Sequence, residues 1–143
     1  MLLVSGARLV LIRHAIAEQA FHIALHRWFD IVDMANKYID EQAPWTLRKS
    51  DPQRMATVLY VLAETLRHIA ILALPFMPDS AGRLLDQLGV AREPGARGFA
   101  TLAVTADKLL PAAALVAGAT LPAPSGIFPR FVEGEAAAGQ GGA

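Results

Sequence analysis

SDPQRMATVLYVLAETLRHIAILALP, residues 50–75, decides the class of fold. Met55, Leu59, Leu62, Leu66, Ile69 and Ala73 recur at three- and four-residue intervals, a stripe that spans about five turns of α-helix. Val58, Val61, Ile71 and Leu72 widen the stripe until the helix is apolar nearly all round, as a helix in the middle of a bundle must be. Ser50 or Asp51 can cap its free amides, and Pro52 suits a first-turn position that needs no amide proton. With Ser50 as cap, Gln53 completes a capping box. Pro75 and Pro78 stop the helix. Glu64 reaching Arg67 or His68 reads as an ordinary helix-surface pair.

Upstream, the spacing predicts a long amphipathic helix from about Ala15 to Gln42. Leu25, Trp28, Phe29, Val32 and Ile39 stack on one face, while Arg27, Asp30, Asp33, Lys37 and Glu41 lie away from it. Asn36 falls on the apolar stripe, eleven positions after Leu25. An amide there needs hydrogen-bond partners or loses roughly 1–3 kcal/mol to desolvation. It can serve as a core asparagine fixing the turn to the next helix, as a reader of a ligand, or as both. Pro44 should end this helix, because the residue before a proline is pushed out of the helical region. That places Trp45 in a loop beside Arg48 and Lys49, with Arg54 close by.

Downstream, a shorter helix should start with Asp79 or Ser80 as cap, turn Leu84, Leu85 and Leu88 inward, and finish at Gly89. Past Val90 the pattern breaks. Pro94, Pro111, Pro122, Pro124 and Pro129 exclude long regular elements, yet Leu109, Leu110, Leu115, Ile127, Phe128 and Phe131 predict an extended arm packed on a helical surface. The expected organisation is all-α: an unassigned segment at 1–14, a helical bundle over 15–90, a Pro/Gly-rich packing arm over 91–133 and a disordered low-complexity tail at 134–143. The run Leu9-Val10-Leu11-Ile12 is too short for periodicity to separate a strand from the first turns of a helix.

Composition narrows the function. At 143 residues, 54% hydrophobic and 18% charged, the chain is one domain able to bury a core. The absence of cysteine excludes disulfides, thiolate metal sites and cysteine nucleophiles. Thirteen basic residues balance thirteen acidic ones, so any nucleic-acid contact must be a local patch with stacking rather than bulk attraction. Arg8, Arg13 and His14 interrupt the opening apolar stretch well short of about 20 residues, the length of a bilayer span. No signal-peptide order is present, and the expected address is the cytoplasm, with no membrane and no DNA as partners.

Three constellations compete for chemistry. Trp45 can stack on an unpaired base while Arg48 and Lys49 meet phosphates, or it can plug the core between two helices. Arg13-His14 after an apolar run resembles the signature of histidine phosphatases, with His14 as nucleophile and Arg13 as phosphate clamp. The helical continuation does not supply the parallel sheet which that chemistry needs, and His68 in the strongest helical stripe is a poor second histidine. His22 and His26 stand four apart, as metal ligands can, but lack a third ligand at suitable spacing, so no metal site is expected. A helical protein-interaction module with no RNA role is a further alternative.

Residues 35–49, ANKYIDEQAPWTLRK, resemble the A-N-x-Y-[IV]-D-E-Q-A-P-W-x-x-x-K segment of methionyl-tRNA synthetases. Similar residues continue through Leu59-Tyr60-Val61-Leu62-Ala63-Glu64, Leu66-Arg67, Pro75-Phe76-Met77-Pro78, Leu84-Leu85, Leu88-Gly89-Val90, Leu121-Pro122 and Ile127-Phe128-Pro129-Arg130, covering about residues 16–132. The resemblance implies a carboxy-terminal helical domain that recognises the CAU anticodon loop of methionine tRNA. It implies that Trp45 stacks on an anticodon base, and it carries Pro44, Asn36 and Lys49 into the site. Arg48, beside Lys49, is expected to neutralise phosphate. The His-Ile-Gly-His and Lys-Met-Ser-Lys-Ser signatures of the family's catalytic domain are absent. ATP and methionine therefore belong to a catalytic domain outside this chain, no cofactor and no catalytic residue are expected here, and this chain alone should not aminoacylate. The family's earlier helix with further anticodon-reading residues does not align with MLLVSGARLVLIRHA, so the start reads as truncated, with half of the anticodon site missing.

Overall fold

A computed structural model describes residues 2–93, 95–102 and 114–128, with side chains from residue 8 onward. Five α-helices follow one another: α1 (Leu2–Ala17), α2 (Phe21–Gln42), α3 (Pro44–Ser50), α4 (Pro52–Ala73) and α5 (Pro78–Gln87). A single 3-10 turn, Phe99–Leu102, comes next. No strand occurs among the described residues. The all-α expectation holds, and the run Leu9-Val10-Leu11-Ile12, which the sequence left between strand and helix, belongs to α1.

The long helix expected from about Ala15 is instead two helices. Its break carries neither glycine nor proline. Gln19 adopts the left-handed conformation (φ 58). The Ala20 amide donates to the Ala15 carbonyl (2.8 Å) and the Gln19 amide to the Ile16 carbonyl (3.0 Å). These are the paired bonds of a Schellman ending, which satisfy the last carbonyls of α1 and reverse the chain into α2.

α1 and α2 therefore pack against each other and against α4. Leu9, Ile12 and Ala15 of α1 meet Ala24, Ile31 and Ala35 of α2, Ile69 to Leu72 of α4, Leu85 of α5 and Leu102 in one core. Trp28 pins α2 to α4 by donating its indole N–H to the Ile69 carbonyl (2.9 Å). Arg8 and Asp30 form an ion pair between α1 and α2.

Asp51, not Ser50, caps α4: its Oδ1 accepts from the Arg54 amide at 2.9 Å. Ser50 closes α3 and donates its hydroxyl to the Thr46 carbonyl, so the capping box does not form. The apolar-all-round reading of α4 holds for its C-terminal half, where every residue from Glu64 to Ala73 except half-buried Leu66 is buried. Toward its start only Val58 is buried, and Leu59 is exposed. By length and hydropathy α4 could cross a bilayer, but its buried half is enclosed by the other helices and carries Glu64, Arg67 and His68.

These three residues overturn the surface-pair expectation, since each is at most 1% exposed. Arg67 donates Nε (2.9 Å) and Nη2 (2.6 Å) to Glu64 Oε1, and His68 Nε2 lies 3.5 Å from the same oxygen. Helical spacing predicted that the residues touch. It could not predict that the returning chain would cover them.

α5 also begins differently from the expectation. Met77 is the N-cap, with Pro78 in the first turn and no side-chain cap from Asp79 or Ser80. Gly89 does end it, in the left-handed region (φ 71) that suits glycine. Asp86 then ties down the following loop by accepting from Arg92 and Arg97. Those two hydrogen bonds, Arg92's first, hold its carboxyl at about 2.

The arm returns along the bundle where it is described. Thr101 reaches Arg67, Leu115 reaches Tyr60 and Glu64, and Ser125 reaches Gln87. Pro94, Leu109, Leu110, Pro111, Pro129, Arg130, Phe131 and the 134–143 tail lie outside the described residues.

Candidate nucleic-acid interface

The edge centred on Trp45 is built by one left-handed residue. Ala43 (φ 40, ψ 61) is at once the C-cap of α2 and the N-cap of α3. Its amide donates to the Ile39 carbonyl. Its own carbonyl accepts from the Thr46 amide (2.9 Å) and the Thr46 hydroxyl (2.7 Å). Pro44, expected only to end a helix, opens the next one at a position where its missing N–H is no loss.

Trp45 consequently sits on the first turn of α3, not in a loop. It is 61% exposed, which excludes the core-plug reading. Pro44, its neighbour in sequence, is buried, and Leu47 is half-buried. Positions 45, 48 and 49 are related as i, i+3 and i+4, which brings them to one face of a helix. The indole therefore shares a face of α3 with two exposed cations, Arg48 and Lys49, both one turn further along in the last turn of the helix. A flat apolar ring can stack on a base while cations on the same face hold its phosphates.

Asn36 is exposed, so the predicted desolvation cost does not arise. It does share the azimuth of Leu25, but Leu25 is itself only half-buried at the stripe's margin. The true core line of α2 runs Ala24, Ile31, Ala35, one residue to the side. Asn36 stands on α2 roughly 9 Å along the axis from its last residue. Of the five predicted site residues, Pro44, Trp45, Arg48 and Lys49 share α3, and Asn36 lies exposed on the preceding helix, α2.

Sequence reasoning missed two features here. The helical state of 44–50 could have been found, since a proline followed by helix-tolerant residues is a first-turn signal. Ala43 in the left-handed region carried no signal, because alanine does not favour it. Arg54, noted as close by, faces the end of α2 and donates to Gln42 Oε1 at 3.0 Å.

The other constellations do not assemble. Arg13 and His14 are exposed residues within α1 rather than at a strand end, which removes the phosphatase geometry. His22 and His26 are exposed on α2, and no group of three or more metal-ligating side chains occurs among the described residues.

The sequence model of one protein family, the anticodon binding domain of methionyl tRNA ligase, matches residues 11–139. The chain belongs to this family. The methionine–tRNA ligase of Mesorhizobium japonicum is 48% identical over 127 residues, 89% of this chain and 23% of that protein. That of Brucella suis is 47% identical over 131 residues, 92% of this chain and 24% of that protein. Apo Mycobacterium tuberculosis methionyl-tRNA synthetase superposes with a TM-score of 0.78 at 38% identity, covering 92% of this chain and 25% of that one. The same synthetase in complex with methionyl-adenylate gives 0.77 at 37% identity, over 90% of this chain and 24% of the other. This chain thus spans about a quarter of the length of these methionyl-tRNA ligases, and the likeness reaches the level of fold as well as sequence.

Proposed function

We propose that this chain reads the CAU anticodon loop of methionine tRNA as the anticodon-binding part of a cytoplasmic methionine–tRNA ligase. The observation that carries this reading is the exposed Trp45 indole on the same face of α3 as Arg48 and Lys49. Stacking of one unpaired base on that ring is worth about 1–3 kcal/mol. The two cations add sequence-independent attraction for the loop's backbone. Pro44 fixes the first turn of α3 and thereby the direction in which the indole leaves it. Asn36 offers an amide donor and acceptor to a base edge. Methionine attachment itself would take place in a catalytic domain joined to this module, with ATP and methionine bound there. Zero net charge fits a site that selects by stacking and local contacts.

The test is a titration of the chain with two methionine anticodon stem-loops, one carrying CAU and one a scrambled anticodon, followed by tryptophan quenching at low salt. Quenching by CAU alone, lost in Trp45→Phe, supports anticodon reading. Equal response to both hairpins, or none, refutes it for this chain and favours the protein-interaction reading. Trp28, half-buried and bonded to Ile69, supplies the unquenched background.

A further inference from the structure

Tyr60 and Glu64 lie one turn apart on α4 and meet the same residue of the returning arm. Glu64 Oε2 accepts from the Leu115 amide at 3.0 Å, and the Tyr60 hydroxyl donates to the Leu115 carbonyl at 2.9 Å. Both contacts are to main chain, so neither reads the leucine side chain. The two groups flank one residue as a neighbouring strand would, supplying an acceptor for its N–H and a donor for its C=O. We propose that Tyr60 and Glu64 form a backbone clamp, a socket for an extended peptide segment that residue 115 fills in cis, and that this clamp fixes the arm to the bundle.

The socket is held in place from behind. Glu64 Oε1 takes both hydrogen bonds from Arg67, leaving Oε2 aimed at the arm. Arg67 in turn donates to the Thr101 hydroxyl (3.2 Å) and carbonyl (3.3 Å), so a second stretch of the arm braces the cation. The titratable and charged groups that meet Glu64 among the described residues are Tyr60, Arg67 and His68, all on α4; the arm contributes the neutral Thr101 and Leu115. Burial pushes the Glu64 carboxyl up. Hydrogen bonds from His68, Arg67 and the Leu115 amide outweigh that and hold it at about 2. The acceptor is therefore ionised, and a bond to an ionised acceptor is roughly twice as strong as a neutral one. Leu115 is half-buried and its neighbour Val116 exposed, so apolar burial of the arm at this point is modest.

Limited elastase digestion of the full chain, with cleavage within 114–121 read by mass spectrometry and each rate divided by that of the matching free 110–125 peptide, tests the clamp. Leu115→Pro removes the amide proton outside any helix, Tyr60→Phe removes the hydroxyl alone, and Leu115→Ala removes only the side chain. A clamp on the backbone predicts cleavage faster by about tenfold in Leu115→Pro and Tyr60→Phe, and within about threefold of the parent in Leu115→Ala. The urea midpoint should fall by no more than one lost hydrogen bond accounts for in Leu115→Pro and Tyr60→Phe, and stay near the parent's in Leu115→Ala. If Leu115→Ala accelerates cleavage as much as Leu115→Pro, side-chain packing holds the arm and the clamp is wrong. Unchanged cleavage in both Leu115→Pro and Tyr60→Phe overturns it equally, as does a midpoint loss in either variant as large as global disruption of the bundle would give.

Discussion

The Trp28 indole N–H and the Ile69 carbonyl, 41 residues apart in sequence, are joined by a 2.9 Å hydrogen bond that ties α2 to the buried half of α4. Phe29 meets the same indole edge-on, with ring centroids 4.9 Å apart and planes at 74°. Trp28→Phe keeps an aromatic ring but leaves the carbonyl without its second donor. The expected loss is about 1–2 kcal/mol of stability. By thermal unfolding, each kcal/mol should lower Tm by roughly 2–8 °C for a chain of this size. A Tm within 1 °C of the parent would mean that the contact is not formed in solution.

Glu64 supplies a pH signature. Its carboxyl is held at about 2 in the folded protein against an ordinary 4.5. Between those values the unfolded chain binds more protons than the folded one, so stability falls as pH falls. The contribution of the cluster is fully present above about pH 4.5 and lost as pH drops toward 2, and Asp86, depressed from 3.8 to about 2, acts in the same direction. Glu64→Gln should flatten this part of the stability curve. At neutral pH it should lower stability by about 3–5 kcal/mol, because it leaves Arg67 buried without its anion. Denaturant midpoints from pH 7 to pH 3 measure both effects, and a curve parallel to the parent's would contradict the assignment to Glu64.

The elements that sequence made legible are those with strong periodicity or obligatory punctuation. α4 is one, bounded by Asp51-Pro52 and Pro75, and the Gly89 ending of α5 is another. The α1–α2 break and the α2–α3 junction were illegible because Gln19 and Ala43, respectively, take left-handed conformations that local preference disfavours. Only tertiary packing, which comes from residues far away, makes such turns worthwhile. The buried state of Glu64, Arg67 and His68 was hidden for the same reason, since Thr101 and Leu115 lie 34 and 51 residues from their partners.

Ala43 should therefore reward glycine. An L-residue in the left-handed region gives up about 1–2 kcal/mol, while glycine adds about 0.4–1 kcal/mol of unfolded-state entropy. Ala43→Gly is expected to raise stability by up to about 1 kcal/mol. Ala43→Val, β-branched at positive φ, should lower it by more than that. Urea midpoints rank the three proteins. The reverse order would show that the α2–α3 junction relaxes to another conformation.

Within the candidate site, residue identities were legible and their geometry was not. Trp45, Arg48 and Lys49 stood out by type, but as a loop they had no fixed relation. The helical state of α3 turns their spacing into a shared face. Asn36 was misplaced by one position, because the stripe was centred on Leu25 when its core line begins at Ala24.

That shared face separates two kinds of loss. Trp45→Ala should change stability by less than about 0.5 kcal/mol, since the side chain is mostly exposed. On the proposed function it should weaken CAU stem-loop binding by about 1–3 kcal/mol without altering the salt dependence. Arg48→Ala with Lys49→Ala should weaken CAU and scrambled loops alike. For single-stranded nucleic acid each neutralised phosphate contributes about −0.7 to the slope of log K against log salt, so the double variant should flatten that slope by about 1.4. Titrations at several salt concentrations read both quantities from the same data. In a full-length ligase carrying Trp45→Ala, charging of tRNA should fall while methionine activation stays intact. Equal loss in both assays would make Trp45 a structural residue and end its assignment to the anticodon.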